Sequence, residues 1–513
     1  MSRGASIREM VRHWAVYSAG AMASRVVGFL LVPVYTRYLT PADYGVLEMV
    51  TTTIHLVGIF VGFGMSTAVI RHYRDEAGEA HPEVISTGLF FSAGVTALGA
   101  GLAFTAAGPL AALTFGSGEF AHYVRLGLVG LFLSNCLEIP LAYFRAVKAP
   151  AVVVKASLVE LVLTVVLNVV FIVGLGWGVD GVLWGNIIIR GLLFAVLGGR
   201  TLRAVGATLA RDALARLVRY GAPTLPALAG WFVVNLADRL FVAWYGSLAD
   251  VGIYSLASRF GTVILLLVVQ PLRQVWEPLQ FEVGRDARAA RLFPRMFEAV
   301  VIVLVLAGFT LCLFVGDAIR VLTPPAFWPA ADIVPLLVLC YVLAGVVEPF
   351  KTAILVTNRT WLMGLIAAAL CGLNVGANLL LVPRLGASGA ALARAATAAV
   401  EVIMTYWVSQ RVHRIDFKAR RPLRLLVYAA ALLVVAQWVP REPAIVSLAL
   451  RMALLAALGL LALRSLSLPG GYGDRIAALR ASIAGLRGAS RAATRGVPVV
   501  EGRALAAGAA EDH

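Results

Sequence analysis

Two arginines carry the chemistry that sets this sequence apart. Arg25 sits in an apolar stretch with Ser18, Ala21, Met22 and Gly28 at helical spacing around it. Arg259 shares a helical face with Ser255 and Thr262 and has no acid three or four residues away. A guanidinium stays protonated, and holding one near mid-bilayer costs about 2.5–3.5 kcal/mol on insertion scales. It must therefore face a partner or a wet cavity, where its planar fork suits phosphate or carboxylate oxygens.

A third polar patch is Asn235, Asp238 and Arg239, since Asn235 lies three and four residues before the two charges. An internal Asp238–Arg239 pair is the plain reading of it, and cavity lining is the alternative. Asp43 lies between Pro41 and Gly45, where it either caps a helix or gates a cavity. Glu138-Ile-Pro140 and Glu348-Pro349 each join a deep carboxylate to a helix bend. Snorkelling toward Arg145 and Lys351 competes there with gating or ion coupling. Glu48 is expected to pair with nearby Arg37. Arg190 and Arg394, just inside the outer ends of their spans, are open to snorkelling and to cavity lining.

The elements that must hold these residues follow from composition. Of 513 residues, 60% are hydrophobic and 14% charged, whereas a soluble domain carries about 25% charged. The reading is an all-α polytopic membrane protein. Fourteen apolar spans are expected at 14–36, 45–70, 84–107, 121–144, 152–174, 182–200, 222–244, 251–272, 296–316, 332–354, 361–382, 388–410, 423–439 and 444–463. Alternate loops then collect Lys and Arg on one side: Arg71 and Arg74, Arg145 and Lys148, Arg200 to Arg219, Arg273 to Arg295, and Arg411 to Arg424. The opposite side holds little more than Arg37, Arg320, Arg384 and Arg441. Both termini are therefore expected in the cytoplasm, with the chain in the inner (cytoplasmic) membrane and span 1 retained as an anchor. The net charge of +16 is thus a matter of membrane orientation, and no nucleic-acid partner is expected.

An internal repeat organises the spans. Ala42-Asp43-Tyr44-Gly45 recurs as Ala249-Asp250-Val251-Gly252, Gly181 as Gly389, Glu138 as Glu348 and Asn168 as Asn378, at spacings of 207 to 210 residues. A near-constant offset over six spans predicts two parallel six-helix lobes, 14–203 and 216–413, with the substrate between them. Helices 13 and 14 (422–466) form an appended hairpin, and the basic tail 467–513 reads as an amphipathic segment on the anionic leaflet or as disordered chain.

No phosphate-binding loop, paired-Cys motif or His-Glu-x-x-His occurs. The four cysteines, Cys136, Cys312, Cys340 and Cys371, read as buried apolar residues, and the histidines, His55 apart, sit mainly in loops. No metal, cofactor or enzymatic activity is expected; a membrane glycosyltransferase or ligase would need a sizeable extramembrane loop.

Tyr35-Thr-Arg37-Tyr-Leu-Thr-Pro-Ala-Asp-Tyr-Gly45, Asp238-Arg239-Leu240 before Gly252-Ile-Tyr254, and Asn378-Leu-Leu-Leu-Val-Pro383-Arg-Leu-Gly386-Ala-Ser-Gly389 resemble the polysaccharide-biosynthesis (oligosaccharide flippase, Wzx-type) branch of the multidrug/oligosaccharidyl-lipid/polysaccharide (MOP) exporter superfamily. Ser24-Arg25-Val26-Val27-Gly28-Phe29 and Ala257-Ser258-Arg259 are similar to cavity-arginine segments of the related lipid II flippases, and Asp43 falls where they carry an acid. The sequence departs from those proteins at Thr51-Thr52-Thr53, near the place of a further cavity arginine, which favours an oligosaccharide other than lipid II. The resemblance implies a flippase for an undecaprenyl-diphosphate-linked oligosaccharide, working by alternating access. Its implied partners are that lipid-linked oligosaccharide diphosphate, membrane lipids, a coupling ion (H+ or Na+) or the membrane potential, and polysaccharide polymerase or assembly proteins. The alternatives are a lipid II flippase and a cation or drug antiporter of the same superfamily.

Overall fold

A computed structural model describes residues 29, 31–74, 78–283, 289–415, 417, 420–439 and 444–465. Arg25, most of the first expected span and the tail 467–513 lie outside the described residues. Apart from one isolated antiparallel bridge, Arg74 to Ala80, the described secondary structure is helical.

The first half contains α1 (Val32–Tyr38), α2 (Pro41–Gly62), α3 (Met65–His72), α4 (Pro82–Thr105), α5 (Ala107–Phe115), α6 (Ala121–Ala146), α7 (Pro150–Asn168) and α8 (Gly178–Val205). The second contains α9 (Arg211–Gly221), α10 (Leu225–Asn235), α11 (Asp238–Tyr245), α12 (Leu248–Ile264), α13 (Gln270–Val283), α14 (Ala289–Leu322), α15 (Ala330–Val356) and α16 (Trp361–Val412). Two further helices follow, α17 (Arg420–Ala436) and α18 (Ala444–Ser465).

The helix starts are written locally. At the head of α2, Thr40 Oγ1 accepts from the Asp43 amide and Asp43 accepts back from the Thr40 amide, with Pro41 in the first turn. The head of α12 repeats this with Ser247 and Asp250. Asp43 is thus a capping residue, and the two boxes lie 207 residues apart.

The same repeat spacing builds the contact between the halves. A Cβ on Gly45 would lie 1.8 Å from the Leu248 carbonyl oxygen, and one on Gly252 would lie 2.0 Å from that of Pro41. Only hydrogen fits at either place, so the first turns of α2 and α12 cross backbone to backbone. The largest apolar cluster runs through this crossing and includes Tyr44, Met49, Val251, Tyr254, Phe260 and Val338.

Breaks differ from the expected spans in three places. The second span divides at Phe63 and Gly64, both with left-handed φ (45° and 57°), into α2 and α3. The seventh divides between Asn235 and Asp238 into two helical stretches inclined by 48°. Spans 11 and 12 form one run, α16, turned at Gly386 (φ 57°), the repeat partner of Gly176 (φ 66°).

Among the described residues ten helices are long and apolar enough to cross a membrane, or eleven if the bent pair is one span. Among these ranges, Pro41–His72 crosses the Phe63–Gly64 break and Trp361–Val412 turns at Gly386, so each holds two helical stretches. The expected total of fourteen also drew on the segment before Phe29 and on the short apolar Leu423–Ala436. The segments Ala330–Val356 and Leu248–Gln274 are 61% and 56% buried over their apolar stretch, against 11% for Pro150–Gly174, so α15 and α12 are central and α7 is peripheral.

Candidate functional site

The break between α10 and α11 creates the site's backbone. Ending a helix inside an apolar layer strands carbonyls that no water can reach, so they must find donors within the protein. The Asn235 carbonyl accepts from Arg239 Nη1 at 3.4 Å and from Arg394 Nη1 at 3.3 Å, and Arg394 Nη2 also reaches Asn235 Oδ1 at 3.2 Å. The broken helix end thus gathers two guanidinium groups.

Two carboxylates complete the cluster. Asp238, at zero exposure, accepts from Tyr254 OH at 2.8 Å and Asn378 Nδ2 at 3.2 Å, and its Oδ2 lies 3.5 Å from Arg394 Nη1. Glu48, arriving on α2 from the other half, accepts from Arg239 Nε at 3.2 Å and from Arg259 Nη2 at 3.3 Å. Ser255 Oγ accepts a further bond from Arg239 at 3.1 Å. Three aromatic faces back the cations: Tyr44 behind Arg259 at 5.5 Å, Tyr254 behind Arg239 at 5.9 Å and Tyr341 behind Arg394 at 5.4 Å.

The expected pairings are corrected here. Asp238 and Arg239 do not serve each other: adjacent residues of a helix point about 100° apart, and each finds a partner elsewhere. Glu48 pairs across the interface with Arg239 and Arg259 in place of Arg37. Arg259 does have a carboxylate, one that a search along its own helix cannot find. Arg394 is buried in the cluster rather than snorkelling. Its side chain and that of Arg239 are 9% exposed, while that of Arg259 is 35% exposed, which makes Arg259 the reachable member.

A separate cavity of about 430 Å³ is lined by α2, α6, α8 and α10, and two of these helices, α2 and α10, also carry Glu48 and Asn235 of the cluster. Glu138 and Arg190 both line it, with His55, Asn135, Asn186 and Trp231. Arg190 Nη1 donates to Ser134 Oγ at 2.7 Å, and Ser134 in turn donates to the Gly130 carbonyl, which orients the guanidinium. Glu348, the repeat partner of Glu138, is instead bound by Arg273 at 2.6 Å and Lys351 at 2.9 Å, with Glu401 3.8 Å from Lys351. The structure thus brings Asn235, Asp238, Arg239 and Arg259 into one cluster and leaves Asp43, Glu138 and Glu348 in three other places. Arg25 lies outside the described residues. Sequence reading gave Glu48 the wrong partner and did not single out Trp231, because both depend on contacts between helices distant in the chain.

The chain matches the model of a family described as "polysaccharide biosynthesis protein" over residues 34–327. No curated protein matches it. Among solved structures, a lipid II flippase (MurJ, inward closed conformation) gives a TM-score of 0.69 at 12% identity, covering 87% of this chain and 98% of its own. An inward-facing multidrug resistance MATE family transporter of the MOP superfamily gives 0.59 at 15% identity, covering 75% and 94%. A Vibrio cholerae MATE transporter gives 0.55 at 16% identity, covering 80% and 98%. At these identities the likeness is one of fold.

Proposed function

The chain belongs to the polysaccharide biosynthesis protein family, and from that premise we propose that it moves an undecaprenyl-diphosphate-linked oligosaccharide from the cytoplasmic to the outer leaflet. The observation that carries this reading is the cluster between the halves, where three guanidinium groups, Arg239, Arg259 and Arg394, face two carboxylates, Glu48 and Asp238. A diphosphate leaving water needs fixed donors to replace its hydration, and guanidinium groups supply them in pairs. Arg259 is the accessible donor, Arg25 the second, and Asn235, Asp238 and Arg239 hold the geometry. A cluster with three guanidinium groups against two carboxylates opposes cation entry, which ranks this reading above cation or drug efflux.

Movement follows from the repeat. The lobes 14–203 and 216–413 rock about the head group while the polyprenyl tail stays in lipid. The Gly45–Gly252 crossing is the outer seal, and the cap at Asp43 sets where α2 enters it. Glu138 and Glu348 are the candidates for gating or for coupling to H+, Na+ or the membrane potential. The hairpin 422–466 supports the second lobe, and polymerase or assembly proteins take the product at the inner membrane's outer face. No bond in the substrate is made or broken, so neither enzyme chemistry nor a cofactor is required.

In proteoliposomes carrying an undecaprenyl-diphosphate oligosaccharide, Arg25→Ala and Arg259→Ala are each expected to slow flipping by about tenfold or more, the worth of a charged hydrogen bond. Wild-type rates in both variants refute the anion-cavity model.

A further inference from the structure

We propose that the cavity between α2, α6, α8 and α10 is a saccharide subsite, which holds the uncharged sugars of the head group next to the arginine cluster that holds its phosphates. The inference rests on the transport reading above and adds to it a second site of different chemistry.

The cavity's size, about 430 Å³, falls within the range of about 300–1,000 Å³ usual for small-ligand sites. Trp231 and His55 set aromatic faces in its wall. Trp231 is 53% exposed, and the His55 ring stands 6.4 Å from it, tilted by 38°. An exposed indole inside a membrane protein's cavity offers an apolar face edged by a polar N–H, which matches a pyranose ring with its C–H face and rim of hydroxyls.

The polar lining suits hydroxyl groups, which both donate and accept. His55 Nδ1 donates to the Thr51 carbonyl at 2.8 Å, which leaves Nε2 for a further hydrogen bond. Asn186 donates through Nδ2 to the Val182 carbonyl at 3.0 Å and Asn135 to Thr96 Oγ1 at 3.2 Å, so both have Oδ1 to offer. Glu138 makes no hydrogen bond or ion pair among the described residues, and Arg190 spends one Nη1 bond on Ser134. One carboxylate and one guanidinium line the same space without bonding each other. They give it no net charge, unlike the cluster beyond, and Glu138 repels a phosphate.

The two sites are joined by the helices they share. Asn235, which binds Arg394, donates to the Trp231 carbonyl at 2.9 Å, one turn back along α10. On α2, His55 follows Glu48 by seven residues, a rise of about 10 Å. A head group anchored by its phosphates at Arg259 is thereby directed with its sugars toward Trp231.

The test compares two probes, undecaprenyl diphosphate and undecaprenyl diphosphate bearing one N-acetylhexosamine, bound to the full chain in nanodiscs and read by native mass spectrometry. The wild type is expected to prefer the glycosylated lipid by about fivefold or more, the scale of one aromatic contact. Trp231→Ala should bring that ratio to about one, Trp231→Phe should retain most of it, and Arg259→Ala should weaken both lipids while keeping the ratio. Equal binding of the two lipids by the wild type overturns the subsite, as does a ratio that survives both Trp231→Ala and Glu138→Gln. Failure of the wild type to bind either lipid overturns the transport reading and the subsite together.

Discussion

Glu48 stands where the two halves trade charge, because it is the carboxylate shared by Arg239 and Arg259 from 191 and 211 residues away. Asp238 serves the second half alone: it is fully buried and holds Arg394 beside Tyr254 and Asn378. Removing one partner of a buried pair strands the other, which typically costs 3–5 kcal/mol, roughly, whereas replacing both costs far less. Asp238→Asn should therefore lower unfolding stability by about 3 kcal/mol or more, and the double variant Asp238→Asn with Arg394→Met should recover most of the loss in detergent thermal melts. A double variant no more stable than the single one would mean that the pair is not the unit. The patch Asn235, Asp238 and Arg239 was legible as a patch, since helical spacing alone joins it. Its pairing was not, because the partners Glu48 and Arg394 come from α2 and α16, and no single-helix count reaches them.

At the level of elements, α2 and α12 meet through hydrogen atoms. The 207-residue offset was visible in Ala42 to Gly45 against Ala249 to Gly252, and the matched capping boxes and glycine crossing give that repeat its physical form. What spacing could not supply is why glycine stands at both places, since the reason is a carbonyl oxygen of the opposite helix. The breaks at Gly64 and at Asn235 also stayed hidden: hydropathy sees one apolar run, while the left-handed turn and the stranded carbonyl are backbone events. Gly45→Ala should hold the first turns of α2 and α12 apart, as the added methyl would sit 1.8 Å from Leu248 O. A cysteine at Val46, which is 5% exposed, should then react with a membrane-impermeant thiol reagent several-fold faster in the Gly45→Ala background, and flipping should fall. Unchanged reactivity together with unchanged flipping would remove the crossing from any gating role.

Over the whole molecule, packing gathers the basic segments between residues 71 and 219 at one end. A single cluster, including Tyr73, Val84, Ala142 and Leu217 with Val147 and Leu202 against it, ties together the end of α3, the start of α4, the ends of α6 and α8, and α9. Those segments carry Arg71, Arg74, Arg145, Lys148, Arg200, Arg203, Arg211, Arg216 and Arg219. The opposite end is tied by Tyr44 against Phe327, by Trp244 Nε1 donating to the Leu113 carbonyl at 2.7 Å, and by His122 with Asp180 at 2.8 Å. Its cations are few, Arg37, Arg125, Arg320, Arg384 and Arg451, the last paired with Asp317, among the described residues. Basic loops resist translocation, so the first end is expected in the cytoplasm. Gly78 and Glu119, both exposed, mark the two ends. In intact cells a membrane-impermeant reagent should label Glu119→Cys and spare Gly78→Cys until the membrane is permeabilised. The reverse pattern would invert the molecule, put the Gly45–Gly252 seal on the cytoplasmic side, and turn the proposed export of a lipid-linked sugar into import.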